Sequence, residues 1–213
     1  SPLQDSYTEL WHTQLSISLG DHTLDLDLQE WVNDGLMTIF FLVVGLEIKR
    51  EFQTGELRDR RAAALPVVAA IGGMIVPALI YLALNVGGPG TSGWGIPMAT
   101  DIAFALGVLV LAARHAPAGL KPFILTLAIV DDIGAIIVIA LFYAGGVSIG
   151  FLAAAAALCG VMFLLRRAGI RATSAFVALG ALVWLATYES GVHPTIAGVV
   201  LGLLAPADSY QRP

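Results

Sequence analysis

Three aspartates stand where aspartates are costly. Asp131 and Asp132 are neighbours in the apolar run 120–143, and Asp101 lies in the run Gly95-Ile-Pro-Met-Ala-Thr-Asp-Ile-Ala-Phe-Ala-Leu-Gly107. No other Asp or Glu occurs between residues 63 and 187. A charge at the centre of a bilayer costs about 3 kcal/mol on insertion scales. Two adjacent acids at mid-span have one structural explanation, a protonated or hydrogen-bonded pair that ties helices together. One polar residue would serve that purpose, and the second adds cost. The chemical explanation uses both. Two carboxylates in a low dielectric cannot both ionise cheaply, so their proton affinities spread apart. A small hard cation with oxygen ligands can replace the proton as the neutralising charge. A site that holds either a cation or protons, and opens to one side at a time, is an exchanger. Helical neighbours point about 100° apart, so the two acids cannot play identical roles, and one faces the ion path more directly.

Asp101 asks for a different element. Pro97 near the start of a short span, with Gly95 and Gly107 flanking it, predicts an interrupted helix. Broken helices in transporters expose backbone groups and half-helix dipoles at an ion site. An acid is favoured electrostatically at the N-terminus of a half-helix. The structural alternative for Asp101 is an ordinary cap or interface residue.

Composition says what solvent these elements meet. The 213 residues are 57% hydrophobic and 13% charged, half the charge of a soluble domain, and mean hydropathy is +0.82. The lone Cys159 excludes a disulfide framework. The chain starts at Ser1 without the n-region, h-region and cleavage site of a leader, and is expected to be an excised or truncated piece. Apolar runs predict spans near 31–50, 63–85, 95–113, 120–143, 149–165, 172–187 and 192–206. The first four approach the roughly 20 residues that a spanning helix needs; the last three are short. All eleven Lys and Arg residues fall on alternate connections: Lys49 to Arg61, then Arg114 and Lys121, then Arg166, Arg167 and Arg171, then Arg212. Basic loops stay in the cytoplasm, which places residues 48–62 and the C-terminal end inside and the N-terminal segment outside.

That segment, residues 1–34, has no Lys or Arg and seven of the sixteen acids. Leu15, Ile17 and Leu19, and then Leu24, Leu26 and Leu28, alternate with polar residues about Gly20-Asp21-His22. Period two on both sides of a short turn predicts an exposed β-hairpin. Trp11 and Trp31 bracket it, at the expected membrane interface. The fold class expected is therefore an all-α polytopic membrane protein of about seven transmembrane helices, one discontinuous, with an N-terminal extracytoplasmic hairpin. Its divisions are a hairpin segment at 1–30, a transmembrane region at 31–206 and a cytoplasmic tail or loop at 207–213.

Five motifs, in order, resemble the NhaA Na⁺/H⁺ antiporter family: Trp31-Val-Asn-Asp-Gly-Leu-Met37, Phe41-Leu-Val-Val-Gly-Leu-Glu-Ile-Lys-Arg-Glu51, Ala99-Thr-Asp-Ile-Ala-Phe-Ala-Leu-Gly107, Leu127-Ala-Ile-Val-Asp-Asp-Ile-Gly-Ala135 and Ser190-Gly-Val-His-Pro-Thr-Ile-Ala-Gly198. The resemblance implies that Asp132 is the primary Na⁺ or Li⁺ ligand and proton carrier, with Asp131 beside it as gate, ligand or proton partner. It implies that Thr100 and Asp101 lie in the break of the discontinuous helix. Glu47, Arg50 and Glu51 match a cytoplasmic cluster linked to pH activation, and His193 matches a histidine near the outer side linked to the same response. Alone, the first three are an ordinary charged helix end and His193 a satisfied interfacial histidine. The hairpin is similar to the family's dimer contact, which implies a homodimer. The family further implies electrogenic, pH-regulated exchange in the bacterial inner membrane, serving pH and sodium homeostasis, with no cofactor and no nucleic-acid partner. Its inverted repeats, of which the family is an established example, imply that this chain is half of such a fold, without the first span and the later ones. Alone it is expected to be inactive.

Other classes fit less. Diphosphate chemistry on paired aspartates wants a third acid and basic partners, and Asp131-Asp-Ile-Gly-Ala135 has neither. An intramembrane aspartyl protease needs its aspartates on separate helices. A channel needs a continuous or symmetric pore, which is not visible. A non-transporting fragment remains the bland alternative; the retained acids argue against decay of the site. The expectation is a transporter and no enzyme.

Overall fold

The computed structural model describes residues 2–19, 22–112, 117, 119–143, 146–170 and 172–205. Of the predicted turn Gly20-Asp21-His22, His22 instead opens β2, paired with Leu19; Gly20 and Asp21, the basic residues Arg114, Arg171 and Arg212, and the tail at 207–213 lie outside the described residues. Helices dominate. The order is α1 (Pro2–Trp11), strands β1 (Gln14–Leu19) and β2 (His22–Asp27), α2 (Leu28–Glu30), a π-helical turn (Trp31–Leu36), α3 (Met37–Thr54), α4 (Arg60–Asn85), a 3₁₀ segment (Thr91–Met98), α5 (Ile102–Ala112), α6 (Leu120–Phe142), α7 (Ile149–Arg167), α8 (Thr173–Glu189) and α9 (Thr195–Leu204).

Among the described residues, four helical stretches are long and apolar enough to cross a membrane: Leu28–Thr54, Arg61–Asn85, Pro122–Phe142 and Ile149–Arg167. Thr173–Glu189 and Thr195–Leu204 are apolar but shorter. Large apolar side chains point outward along these helices. Leu84 is 81% exposed, Leu141 72% and Ile149 80%. Continuous exposed apolar surface of this kind is tolerated in lipid and not in water, so the chain is membrane-embedded.

The molecule divides into two units. One is Ser1–Gly45 with Gly145–Pro206; the other is Leu46–Ala144 with Ala207–Pro213. In the first, β1 and β2 pair antiparallel, with Leu15 opposite Leu26 and Ile17 opposite Leu24. The alternation in sequence predicts this pairing, since period two puts both apolar rows on one face. The ten-residue helix α1 before the hairpin was not expected from the sequence. Its short, mixed polar sequence carries no periodic stripe long enough to read. Asp27 then closes the hairpin and starts the next helix. Its carboxylate accepts from Glu30 N–H at 2.8 Å while Glu30 Oε2 accepts from Asp27 N–H at 2.9 Å, a reciprocal capping box. Met162, Val183, Ala197 and Leu201 form the core of this unit, with Leu42 and Phe176 packed against them.

In the second unit α4 packs along α6. Met74 of α4 lies on Gly134 of α6, where a Cβ would overlap its sulfur. Met74, Ala78 and Met98 form a buried cluster, with Trp94 and Val138 against it. The end of the 3₁₀ segment is thus seated in an apolar cluster on the helix that carries both central aspartates.

Candidate functional site

The interrupted helix expected around Pro97 is present. The 3₁₀ segment ends at Met98, Ala99 is extended at φ −70° and ψ 128°, and α5 begins at Ile102. Pro97 has no N–H to donate and disfavours helical backbone in the residue before it. These effects act on the turn before Pro97, which is 3₁₀ and not α-helical; the break itself falls just beyond it, at Ala99-Thr100-Asp101.

Asp101 caps the helix that follows. Its Oδ1 accepts the backbone N–H of Phe104 at 2.9 Å, and its carbonyl accepts from Ala105 N–H at 3.0 Å. This is the N-cap geometry that satisfies an orphan donor and places negative charge on the positive end of the helix dipole. The cap reading is therefore the one with a visible contact, and it coincides with the half-helix position expected from the sequence.

Thr100 reaches the aspartates. Its hydroxyl donates to Asp131 Oδ2 across the break. Asp131 is 3% exposed, on the buried side of α6. Asp132, one residue on and turned about 100° away, is half-buried. Among the described residues no hydrogen bond to Asp132 occurs. The two carboxylates differ in environment, as their helical spacing requires: Asp131 is buried and takes the Thr100 hydroxyl, while Asp132 is half-buried. Two carboxylates, a threonine hydroxyl and unwound backbone make an environment of oxygen donors, suited to a hard cation or to protons. Among the described residues, no three or more His, Cys, Asp or Glu side chains gather as a resident-metal site.

The charged end of α3 splits. Glu51 is buried, and its Oε1 accepts from the hydroxyl of Thr126 at 3.3 Å. Thr126, 1% exposed, lies five residues before Asp131 on α6. Glu47 is half-buried and Arg50 exposed. Only Glu51 of the three is hydrogen-bonded to the aspartate helix among the described residues. His193 belongs to the other unit. It is half-buried in the turn before α9, where its carbonyl accepts from Ile196 N–H at 3.0 Å. Gly191 in that turn has φ +77°, and a Cβ there would run into the carbonyl of Gly146.

Several contacts escaped sequence reasoning. Tyr143 at the end of α6 and Tyr81 on α4 both bond the loop that leads to the break. A lone tyrosine at a span end reads as an interface anchor, so nothing in the sequence marks these two. Trp184 is another. Its Nε1 donates to the carbonyl of Asp34 at 2.7 Å, inside the π-helical turn, and its ring stacks between Trp31 and Tyr188. Trp31 in turn donates to the carbonyl of Leu15 at 2.8 Å. Its expected interface role therefore includes tying the hairpin to the helix.

Comparison with known proteins follows the same direction. The profile of the family described as Na⁺/H⁺ antiporter 1 matches residues 1–213. A Sorangium cellulosum protein named Na(+)/H(+) antiporter NhaA 2 is 54% identical over 211 residues, covering 99% of this chain and 45% of its own length. A Myxococcus xanthus protein of the same name is 50% identical over 214 residues, covering 100% of this chain and 45% of that protein. An Oleidesulfovibrio alaskensis protein named Na(+)/H(+) antiporter NhaA is 53% identical, covering 98% of this chain and 46% of that protein. The chain thus spans about half the length of the curated relatives it matches.

Proposed function

Because this chain belongs to the Na⁺/H⁺ antiporter 1 family, we propose that the protein exports Na⁺ in exchange for protons, with Asp131 and Asp132 as the exchange site. The relatives are named antiporters, which favours transport over catalysis. The observation that carries the site is the burial of Asp131 beside Asp132 on an apolar helix, facing a broken helix whose Thr100 hydroxyl bonds Asp131. Asp132 is the main ligand and proton carrier. Asp131, held by Thr100, completes the oxygen donors. When Na⁺ leaves, protons replace it, because two adjacent carboxylates in a low dielectric cannot both stay charged cheaply. Asp101 stabilises the half-helix end and adds negative charge near the break.

The finer reading follows the family. Li⁺ shares the site, exchange is electrogenic, and pH controls it through Glu47, Arg50, Glu51 and His193. The protein lies in the bacterial inner membrane with about seven spans in this region. The hairpin is outside, where it joins two copies in a homodimer. The alternating basic loops support this orientation. The test is Asp132→Asn in the full-length protein, assayed in everted vesicles by Na⁺-driven collapse of a pH gradient. Loss of exchange is expected at every pH. Retention of wild-type exchange would refute the site.

A further inference from the structure

We propose that Tyr143 is a positioning residue for this exchange site: its hydroxyl anchors the far end of a short strut that holds Thr100 against Asp131. The inference rests on the exchange reading above and adds a residue to it.

The strut is the chain from Ser92 to Thr100. The Tyr143 hydroxyl donates to the carbonyl of Ser92 at 2.9 Å and accepts the N–H of Gly95 at 3.1 Å. Both bonds go to backbone, so they fix the path of the chain and not a side chain. Trp94 packs edge-on against Phe142, with ring centroids 5.2 Å apart, and lies tilted against Tyr143 at 6.1 Å. The glycine at 95 is part of the device. A Cβ there would lie 2.8 Å from the Tyr143 hydroxyl, on top of the hydrogen bond. At the other end of the strut Thr100 donates to Asp131. Both anchors belong to one helix: Asp131 lies inside α6 and Tyr143 caps its C-terminus, with its own N–H bonded to the carbonyl of Ile139.

The two lengths match. Twelve residues of α-helix separate Asp131 from Tyr143, about 18 Å of axis. A long helical side chain leans back over the preceding turn by about 5 Å, which puts the hydroxyl about 13 Å from the level of Asp131. The chain from Gly95 to Met98 rises about 2 Å per residue, and the two steps to Thr100 about 3.4 Å each, again about 13 Å in all. A connection this short, with Met98 seated on Met74 and Ala78 along the way, limits how far Thr100 can move while Tyr143 holds the other end. If the Tyr143 anchor is lost, the Thr100 hydroxyl withdraws and Asp131 loses the bond that orients its carboxylate.

Tyr81 makes the contrast. It bonds the same loop at the carbonyl of Gly90, 3.0 Å away. That point is upstream of the strut, in a turn also held by Thr91 and Asn85. Its removal loosens the turn and leaves both Tyr143 bonds to the strut in place.

The test uses the full-length protein in everted vesicles, with the Na⁺ dependence of exchange measured at fixed pH. Tyr143→Phe, which removes only the hydroxyl, should raise the apparent KM for Na⁺ about tenfold, the size of one lost hydrogen bond to a charged group. The maximal rate should be kept. Gly95→Ala, which displaces the hydroxyl without touching the tyrosine, should do the same and serves where Tyr143→Phe fails to fold. Tyr81→Phe should stay within twofold of wild type. Tyr143→Phe placed on Thr100→Val should add nothing, because both remove one interaction. An unchanged KM in both Tyr143→Phe and Gly95→Ala, or effects that multiply with Thr100→Val, would overturn the proposal. Asp132→Asn run beside them separates the two claims. If it is inactive while Tyr143→Phe behaves as wild type, only the strut fails. If it exchanges normally, the underlying reading fails too.

Discussion

At the scale of single residues, adjacent identical side chains end in different surroundings. Asp131 is buried and bonded to Thr100, while Asp132 is only half-buried. The same logic, with the opposite chemistry, appears at the hairpin. Asp27 takes the Glu30 N–H and His12 Nδ1 on its two oxygens, each at 2.8 Å. The backbone hydrogen bond from Glu30, then the His12 side chain, hold its carboxyl below the ordinary aspartate value of 3.8. A carboxyl whose folded pKa is depressed stabilises the fold at pH above its unfolded value, and that stabilisation is lost as pH falls through the folded value. Asp27→Asn, which mimics the protonated form, should therefore melt below wild type at neutral pH. The gap in melting temperature should close only below pH 3.8. A gap that is unchanged at acid pH would show that the charge on Asp27 contributes nothing.

At the scale of elements, the first unit is built on close backbone approach. A Cβ on Gly198 of α9 would overlap the carbonyl of Thr38 and lie 3.1 Å from Leu42 N on α3. A Cβ on Gly45 would lie 2.5 Å from the carbonyl of Val199 and 3.2 Å from Gly202 Cα. These neighbours are backbone and cannot swing aside. In lipid, such small-residue crossings supply the packing that holds helices together. Gly198→Ala should cost about 1–3 kcal/mol by overpacking, read as a lower melting temperature in detergent. Gly180→Ala is the control. Its Cβ would meet Leu201 methyl carbons at 3.5 and 3.8 Å, ordinary contact distances, so stability should hold or rise slightly. Equal melting of both variants would disprove the tight crossing.

At the scale of the whole molecule, the orientation rests on charge. With the seven spans expected from the sequence, all eleven basic residues fall at alternate connections, and positive loops resist translocation. In a Cys159→Ser background, Ser18→Cys in the hairpin should react with a membrane-impermeant thiol reagent added to intact spheroplasts. Arg58→Cys should react only after the membrane is opened. The reverse pattern would invert the proposed topology.

The linear order of this chain determined where the helices lie. The expected spans at 63–85, 120–143 and 149–165 match Arg60–Asn85, Leu120–Phe142 and Ile149–Arg167 within a few residues, because burial in lipid writes itself as an unbroken apolar run. The hairpin strands were legible from period two, the break from Pro97, and the acids from their cost. The partners of those acids were not legible. Nothing local joins Thr100 to Asp131, Thr126 to Glu51, or Tyr143 to Gly95, pairs separated by 31, 75 and 48 residues. In a chain this apolar, helix packing decides which polar groups meet, and many packings satisfy the same hydropathy. Only the tertiary structure chose one, by letting glycines at 134, 198 and 95 admit a neighbour where any side chain would have kept it out.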